Sequence, residues 1–193
     1  MTVDREHTVS EEALITEVEA LRVQATNQLS EVNRVEPDGQ KFTLSPGGQN
    51  PLVAGIIEKF LPQFVRQPKV LYVGDTDTKW VMVDTVALAE LGISFDSHGK
   101  FPDLIALDRE RNWLLLFEAV TSHGPIDAKR HNELKTIFGT SSAPLVFVTA
   151  FLDRKMLVKY LPQIAWETEV WVADSPTHLI HFNGERFLGP YET

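Results

Sequence analysis

Apolar residues change their spacing several times along the chain, and each change marks an element. Ser10 precedes Glu11 and Glu12, a helix start with acids in its first turn. Leu14, Val18, Leu21, Ala25, Leu29 and Val32 then recur at helical spacing, which predicts one amphipathic helix over about 11–33, ended by Pro37-Asp38-Gly39. A loop at 44–51 feeds a helix over about 51–60 with Leu52, Ile56, Ile57 and Phe60 inward and Glu58 and Lys59 outward. Lys69–Val73 reads as a buried strand and Gly74–Thr78 as a turn. The next stretch, about 79–91, reads as a helix capped by Thr78 and stopped by Gly92, with Val83, Val86, Ala87 and Leu91 on its core face. Ile93–Asp96 predicts a short strand.

Two apolar runs, Leu104–Leu107 and Trp113–Phe117, flank the charged loop Asp108-Arg109-Glu110-Arg111-Asn112 and predict a β-hairpin. Beyond it the spacing turns helical again over about 125–138, with Pro125 in the first turn, Ser122 or Gly124 as cap, and Ile126, Leu134, Ile137 and Phe138 on the apolar side. Pro144–Thr149 is a further buried strand, and Asp153 starts a short helix through about Tyr160. The tail alternates as strands over 167–172 and 178–182, and Asn183-Gly184 is a hairpin signal. Strands interleaved with helices predict an α/β fold.

The hairpin carries the candidate chemistry. A residue entering its first strand and one leaving its second end side by side, so Asp103 and Glu118 are predicted neighbours. Two carboxylates at one end of a sheet suit a hard divalent cation, leaving room for water and a phosphate oxygen. The competing reading is that both acids are structural. A helix N-terminus just after Glu118 would offer free N–H groups to an anion. Asp75 and Lys79 lie in a strand–turn–helix context where α/β proteins place functional groups, or merely cap the helix.

The 193 residues suit one domain with a helical extension. The chain has no cysteine, which excludes disulfides and thiolate metal sites. His178 and His181 point to opposite faces of a strand and cannot both ligate one ion simply, so a zinc site has no support. There is no phosphate-binding P-loop and no G-x-S-x-G elbow. Neither a membrane span nor a signal peptide is present, and a cytoplasmic protein is expected. The net charge of −9 weighs against a general nucleic-acid binder. Residues 1–50, however, hold nine acids against four bases, more than half of that charge, and carboxylates at a metal site are offset by the ion.

Pro102-Asp103 on one strand and Glu118 on the next, between helices, resemble the PD-(D/E)xK nuclease superfamily. More closely, LSPGGQNPL at 44–52, VLYVGDT at 70–76, HGKFPD at 98–103 and FEAVTSHGPIDAKRHNEL at 117–134 resemble the catalytic C-terminal part of BsuBI/PstI-type restriction endonucleases. FVTAF at 147–151, AWETEVW at 165–171 and HLIHFNG at 178–184 continue the likeness. The resemblance implies a restriction-endonuclease-like core, a central mixed β-sheet flanked by helices over 44–193, behind an N-terminal helical extension at 1–43. It implies Mg²⁺-dependent hydrolysis of double-stranded DNA by a homodimer. Asp103 and Glu118 would hold the ion, with Glu58 as a further ligand. Ser122, His123, Gly124, Arg130 and Lys79 would contact DNA phosphates, and Asp75 is a further candidate site residue.

Two features depart from that pattern. About 40 residues precede the match where the family carries a specificity region, which implies reduced recognition or a separate specificity subunit. Position 120 is Val where the superfamily has a lysine that orients or deprotonates the attacking water. Lys129 is the first candidate to replace it, Lys100 the second, and Lys79 trails. The alternative function is a non-cleaving DNA-binding or accessory remnant of a restriction-modification system.

Overall fold

The computed structural model describes residues 33–35, 41–97, 99–121, 124–182 and 189. Strands β1 (Asn33–Val35) and β2 (Lys41–Thr43) form a small antiparallel pair. Seven further strands make one mixed sheet: β3 (Pro68–Asp75), β4 (Lys79–Val83), β5 (Leu104–Asp108), β6 (Trp113–Val120), β7 (Leu145–Phe151), β8 (Glu169–Val172) and β9 (Leu179–His181). Their order is β4-β3-β5-β6-β7-β8-β9. β6, β7 and β8 run parallel, and the outer pairings are antiparallel. The expected α/β architecture is therefore present. Among the described residues no helix is long and apolar enough to cross a membrane.

Each sheet face is covered by a helix whose apolar stripe the sequence supplies. α1 (Asn50–Gly55) continues through a π-helical stretch, Ile56–Phe60, into α2 (Leu61–Phe64). Pro62 sits in that last turn and has no N–H to close an ordinary helical bond, and the wider π register lies just ahead of it. Phe60 is fully buried there, edge-on to Phe117 and Trp171 at 5.0 and 5.9 Å between ring centres. The opposite face packs α4 (Ala128–Phe138) through Leu134 and Phe138 against Leu114 and Leu116. Strand alternation makes the division strict: Leu115, Phe117 and Ala119 face the π-helical side, and Leu114, Leu116 and Glu118 face α4.

Three sequence expectations change. Residues 79–83 are strand, not helix. The Asp75 carboxylate accepts from the Asp77 and Thr78 amides (3.1 and 3.0 Å), closing a tight turn, and Lys79 enters the strand at φ +75°. The run Trp80–Val83 then pairs with β3, and α3 (Thr85–Glu90) begins one residue after Asp84, whose side chain caps Ala87. Ile93–Asp96 is irregular rather than strand. α4 starts at Ala128, not 125, because Asp127 takes the cap by accepting the Arg130 amide at 2.7 Å. By contrast Asp153 caps α5 (Arg154–Tyr160), as its position in the sequence implies. The expected helix over 11–33 and the Asn183-Gly184 turn lie outside the described residues, except that Asn33 belongs to β1.

Candidate active site

Pro102 cannot donate to a sheet ladder, so regular pairing of β5 starts after it. Asp103 extends the strand by one residue: its N–H donates to the Phe117 carbonyl (3.0 Å), and its carbonyl accepts from the Gly74 amide (2.8 Å). That contact favours a glycine, because a Cβ at position 74 would stand 3.1 Å from the Asp103 carbonyl oxygen, tighter than most Cβ contacts. Asp103 Oδ2 accepts the Ala119 amide at 2.7 Å, which ties the side chain to the strand position beside Glu118. The hairpin register, Leu104 opposite Phe117, brings the two acids to the same end of neighbouring strands.

Glu118 points towards α4, and the first turn of that helix answers it. Arg130 lies one turn before Leu134, and α4 runs back against the direction of β6, so one helical turn matches two strand residues. Leu134 shares a buried cluster with Leu116, and Arg130 meets Glu118. Arg130 Nε and Nη2 lie 2.8 and 2.7 Å from the same oxygen, Glu118 Oε1. Nη2 also donates to the Phe101 carbonyl (3.2 Å), and Nη1 reaches Glu133 Oε2 at 3.4 Å. Glu133 in turn pairs with Lys100 at 3.2 Å.

Burial and the nearby Asp103 charge push the Glu118 carboxyl up to about 7, against the opposing pull of Arg130. Burial and the same Asp103 charge raise the Tyr72 hydroxyl to about 12. Two carboxylates are therefore forced together at a half-buried position, and a cation would relieve that repulsion. A divalent ion fits this donor set, with Asp103 and Glu118 supplying two oxygens. Among the described residues no three His, Cys, Asp or Glu side chains converge to enclose an ion, so most coordination positions would fall to water and substrate.

The other sequence candidates are distributed as follows. Glu58 is exposed on the π-helical stretch, which packs on the opposite face of the sheet from Glu118. Lys129 is exposed on α4, beside the residue that does bond Glu118. Lys100 is 70% exposed and pairs with Glu133 rather than with either site carboxylate. Lys79 stands at the β4 edge, its Nζ bonded to the Ser97 carbonyl and 5.9 Å from the Trp80 ring centre. Gly124 is exposed ahead of α4, while Ser122 and His123 lie outside the described residues. Asp75 is only 4% exposed and gathers Ser45, Asn50 and Thr78, a structural knot one residue from Gly74.

Val120 is 1% exposed and packs with Phe151, Leu157 and Ile164, so the strand offers no cation beyond Glu118. Glu133 and Thr149 escaped sequence reasoning. Thr149 lies opposite Glu118 in the parallel register, and its Oγ1 accepts the Ile126 amide at 3.2 Å, anchoring the approach to α4. The available signal for Arg130 and Glu133 was the stripe Arg130–Leu134–Phe138, which aims the first turn of α4 at the end of the sheet.

Comparison with known proteins gives the family. The BsuBI/PstI restriction endonuclease domain matches residues 33–185. The chain is 52% identical over 155 residues to the type II restriction enzyme BsuBI of Bacillus subtilis, covering 80% of this chain and 49% of that one. It is 31% identical over 175 residues to the type II restriction enzyme AplI of Arthrospira platensis, covering 86% and 53%. Among solved structures, that of SdaI restriction endonuclease superposes with a TM-score of 0.77 at 47% identity, covering 95% of this chain and 56% of that chain. The chain thus spans about half the length of the curated relatives it matches. A family model matching residues 33–185, and sequence and fold shared across most of the chain, place it in the BsuBI/PstI restriction endonuclease family.

Proposed function

We propose that the protein is a DNA endonuclease of the type II restriction class, hydrolysing phosphodiester bonds of double-stranded DNA with Mg²⁺. The observation that carries this reading is the pair Asp103 and Glu118, held on adjacent strands at one sheet end by the Ala119–Asp103 bond. Those two residues would hold the ion, which when bound lowers the pKa of its water and offsets phosphate charge. Water oxygen adds to phosphorus and gives up a proton to solvent, the bond to the leaving sugar oxygen breaks, and that oxygen takes a proton from solvent. Phosphate contacts are assigned to Gly124 and the adjoining Ser122 and His123, with Lys79 as a more distant rim cation. Cutting both strands needs two copies of the site, hence a homodimer, with a separate specificity subunit as a further proposed partner. A cytoplasmic location accords with this activity.

The test is cleavage of long mixed-sequence DNA in Mg²⁺ or Mn²⁺, comparing the native chain with Glu118→Ala. Discrete fragments from the native chain alone are expected for intrinsic sequence recognition, and a metal-dependent smear for catalysis whose specificity lies elsewhere. No cleavage by the native chain in either metal would sink the nuclease reading. A second reading, a non-cleaving DNA-binding or accessory protein, is favoured by Val120, which is buried among apolar side chains where a strand cation is wanted.

A further inference from the structure

Among the described residues the sheet ends at β9, and no strand pairs with its outer edge. Beside α5, the outer part of the sheet is left bare as a groove of about 300 Å³. Val170, Val172 and Ile180 form its floor, and Leu157 and Val158 of α5 form one wall. The floor follows from register: Val170 stands opposite Thr149 on β7 and Ile180 on β9, so it lies on the Glu118 side of the sheet. Val158 is 68% exposed and Ile180 43%, so apolar surface here faces water.

The rim of the groove is basic. Arg154, Lys155 and Lys159 of α5 are exposed, and none of them pairs with an acid among the described residues. The acids around them are mostly engaged. Asp153 caps α5 and Glu169 is buried against His181, which leaves Asp174 exposed in the turn after β8. An apolar floor with a basic rim is complementary to an apolar stripe bordered by acids.

The chain carries such a segment outside the described residues. Leu14, Val18, Leu21, Ala25 and Leu29 recur at helical spacing, and Glu17, three after Leu14 and four before Leu21, borders that stripe. Over 11–32 the acids Glu11, Glu12, Glu17, Glu19 and Glu31 stand against one base, Arg22. Length decides which copy supplies it. The chain enters the described fold at β1, whose partner β2 packs against β4, the sheet edge opposite β9. Neighbouring strands lie about 4.8 Å apart, so the two edges of this seven-stranded sheet are about 29 Å apart. A helix of about 22 residues is about 33 Å long, and crossing the sheet from β1 would use nearly all of it. Its stripe cannot then lie along the groove of its own chain, whereas a second copy brings it there untethered.

We propose that the α5–β9 groove takes the acidic, apolar-striped segment 11–32 of a second copy of this chain, two copies exchanging these segments across a twofold axis. The contact joins the two copies that cutting both strands requires, yet it holds whether or not the chain cuts DNA.

The test measures the assembly of the full chain by light scattering, with the dissociation constant from sedimentation. The native chain is expected to be a dimer. Val158→Glu, and Lys155→Glu with Lys159→Glu, should each raise the dissociation constant at least about tenfold at unchanged thermal melting. Val86→Glu is the control, since Val86 is 70% exposed on α3, outside the groove, and the dimer should persist. The chain has no cysteine, so introduced thiols are the only ones present. A Leu21→Cys chain mixed with a size-tagged Val158→Cys chain should be joined by a short bis-maleimide, and not when Val86→Cys replaces Val158→Cys. A native chain that stays monomeric overturns the proposal, as does a dimer that keeps its affinity in Val158→Glu or in the charge reversal. Linkage of Leu21→Cys to Val158→Cys only when both are in one chain would mean docking within the copy and overturns it as well.

Discussion

Replacing Asp75 by Ala separates the two roles an acid at that position can have. Its carboxylate accepts from the Ser45 amide (2.8 Å), Ser45 Oγ (2.7 Å), Asn50 Nδ2 (2.7 Å), the Asp77 amide (3.1 Å), the Thr78 amide (3.0 Å) and Thr78 Oγ1 (3.0 Å). Asp77 and Thr78 are exposed, so water replaces the carboxylate there at little cost. Ser45 is half-buried and Asn50 is 0% exposed, and Asn50 Oδ1 already has no partner. Two to three donors are therefore stranded, at about 1–3 kcal/mol each, so the expected loss is about 3–5 kcal/mol from a total of about 5–15. Urea unfolding at pH 7 measures it as a lower midpoint at unchanged slope. The pH response has a definite sign. Burial pushes the Asp75 carboxyl up, but the bonds from Ser45 and Thr78 outweigh it and hold the group well below its ordinary 3.8. Its stabilisation is therefore complete above about pH 4 and is lost as pH falls towards the lower folded-state value, and Asp75→Ala should flatten that acid limb. If Asp75 were instead a metal ligand, removing it would relieve repulsion in the metal-free chain and abolish stabilisation by added metal. A loss under about 1 kcal/mol, or a gain, would refute the structural account.

Other perturbations test neighbouring parts of the molecule. Gly74→Ala places a Cβ 3.1 Å from the Asp103 carbonyl oxygen, a backbone atom that has to give by a few tenths of an ångström. Stability should fall by about 1–3 kcal/mol, and Mn²⁺ affinity, followed by calorimetry, should drop as Asp103 moves; unchanged affinity would show that the contact does not position the acid. His181→Ala removes the 2.6 Å partner of Glu169 Oε1 and leaves a carboxylate that is 1% exposed, with Oε2 already unpaired. Chemical denaturation should show a loss of about 3–5 kcal/mol, largely recovered when Glu169 is also made apolar. Glu118 gives the reverse pH trend to Asp75. Its folded-state value near 7 lies above its ordinary 4.5, so its ionisation costs stability above pH 7 and nothing below about 4.5. The metal-free protein should therefore melt at higher temperature as pH is lowered from 8 to 5, and Glu118→Gln should remove that slope.

What was legible in the sequence was local. The hairpin from Leu104 to Val120 declares itself because its two runs and their polar loop are contiguous, and the Asp103–Glu118 pairing follows from chain reversal alone. The caps Asp153 and Ser10 look alike in sequence, yet only the first lies among the described residues and can be compared. Residues 79–91 misled because Val83, Val86, Ala87 and Leu91 keep helical spacing while the aromatic and β-branched residues Trp80, Val81 and Val83 suit a strand. The sheet partner β3 decided between them. Glu169 and His181 gave no signal as a pair, since only β8–β9 register brings them within 2.6 Å across twelve positions. Arg130 was visible as a basic residue near the candidate site, but choosing it over Lys129 needs the phase of α4, and that phase is set by Asp127 capping rather than by Pro125.

The phase of α4 also bears on how a site of this kind can do without a cation on its strand. Position 120 lies two residues past Glu118 on the same face, but the chain crosses that end of the sheet: the Ala165 amide donates to the Ile126 carbonyl at 2.9 Å, and Ile164 packs with Val120. A lysine there would have to displace that apolar packing to bring its ammonium to the carboxylates. One helical turn before Leu134, the same face of Glu118 is open to α4, and the long side chain of Arg130 spans the gap while its own backbone amide is held by Asp127. Supplying the cation from the crossover helix keeps the strand apolar beyond the carboxylate. It also ties the charge of the site to the docking of one helix, so a change that shifts α4 without touching either acid, such as Asp127→Ala, should disturb the site through Arg130.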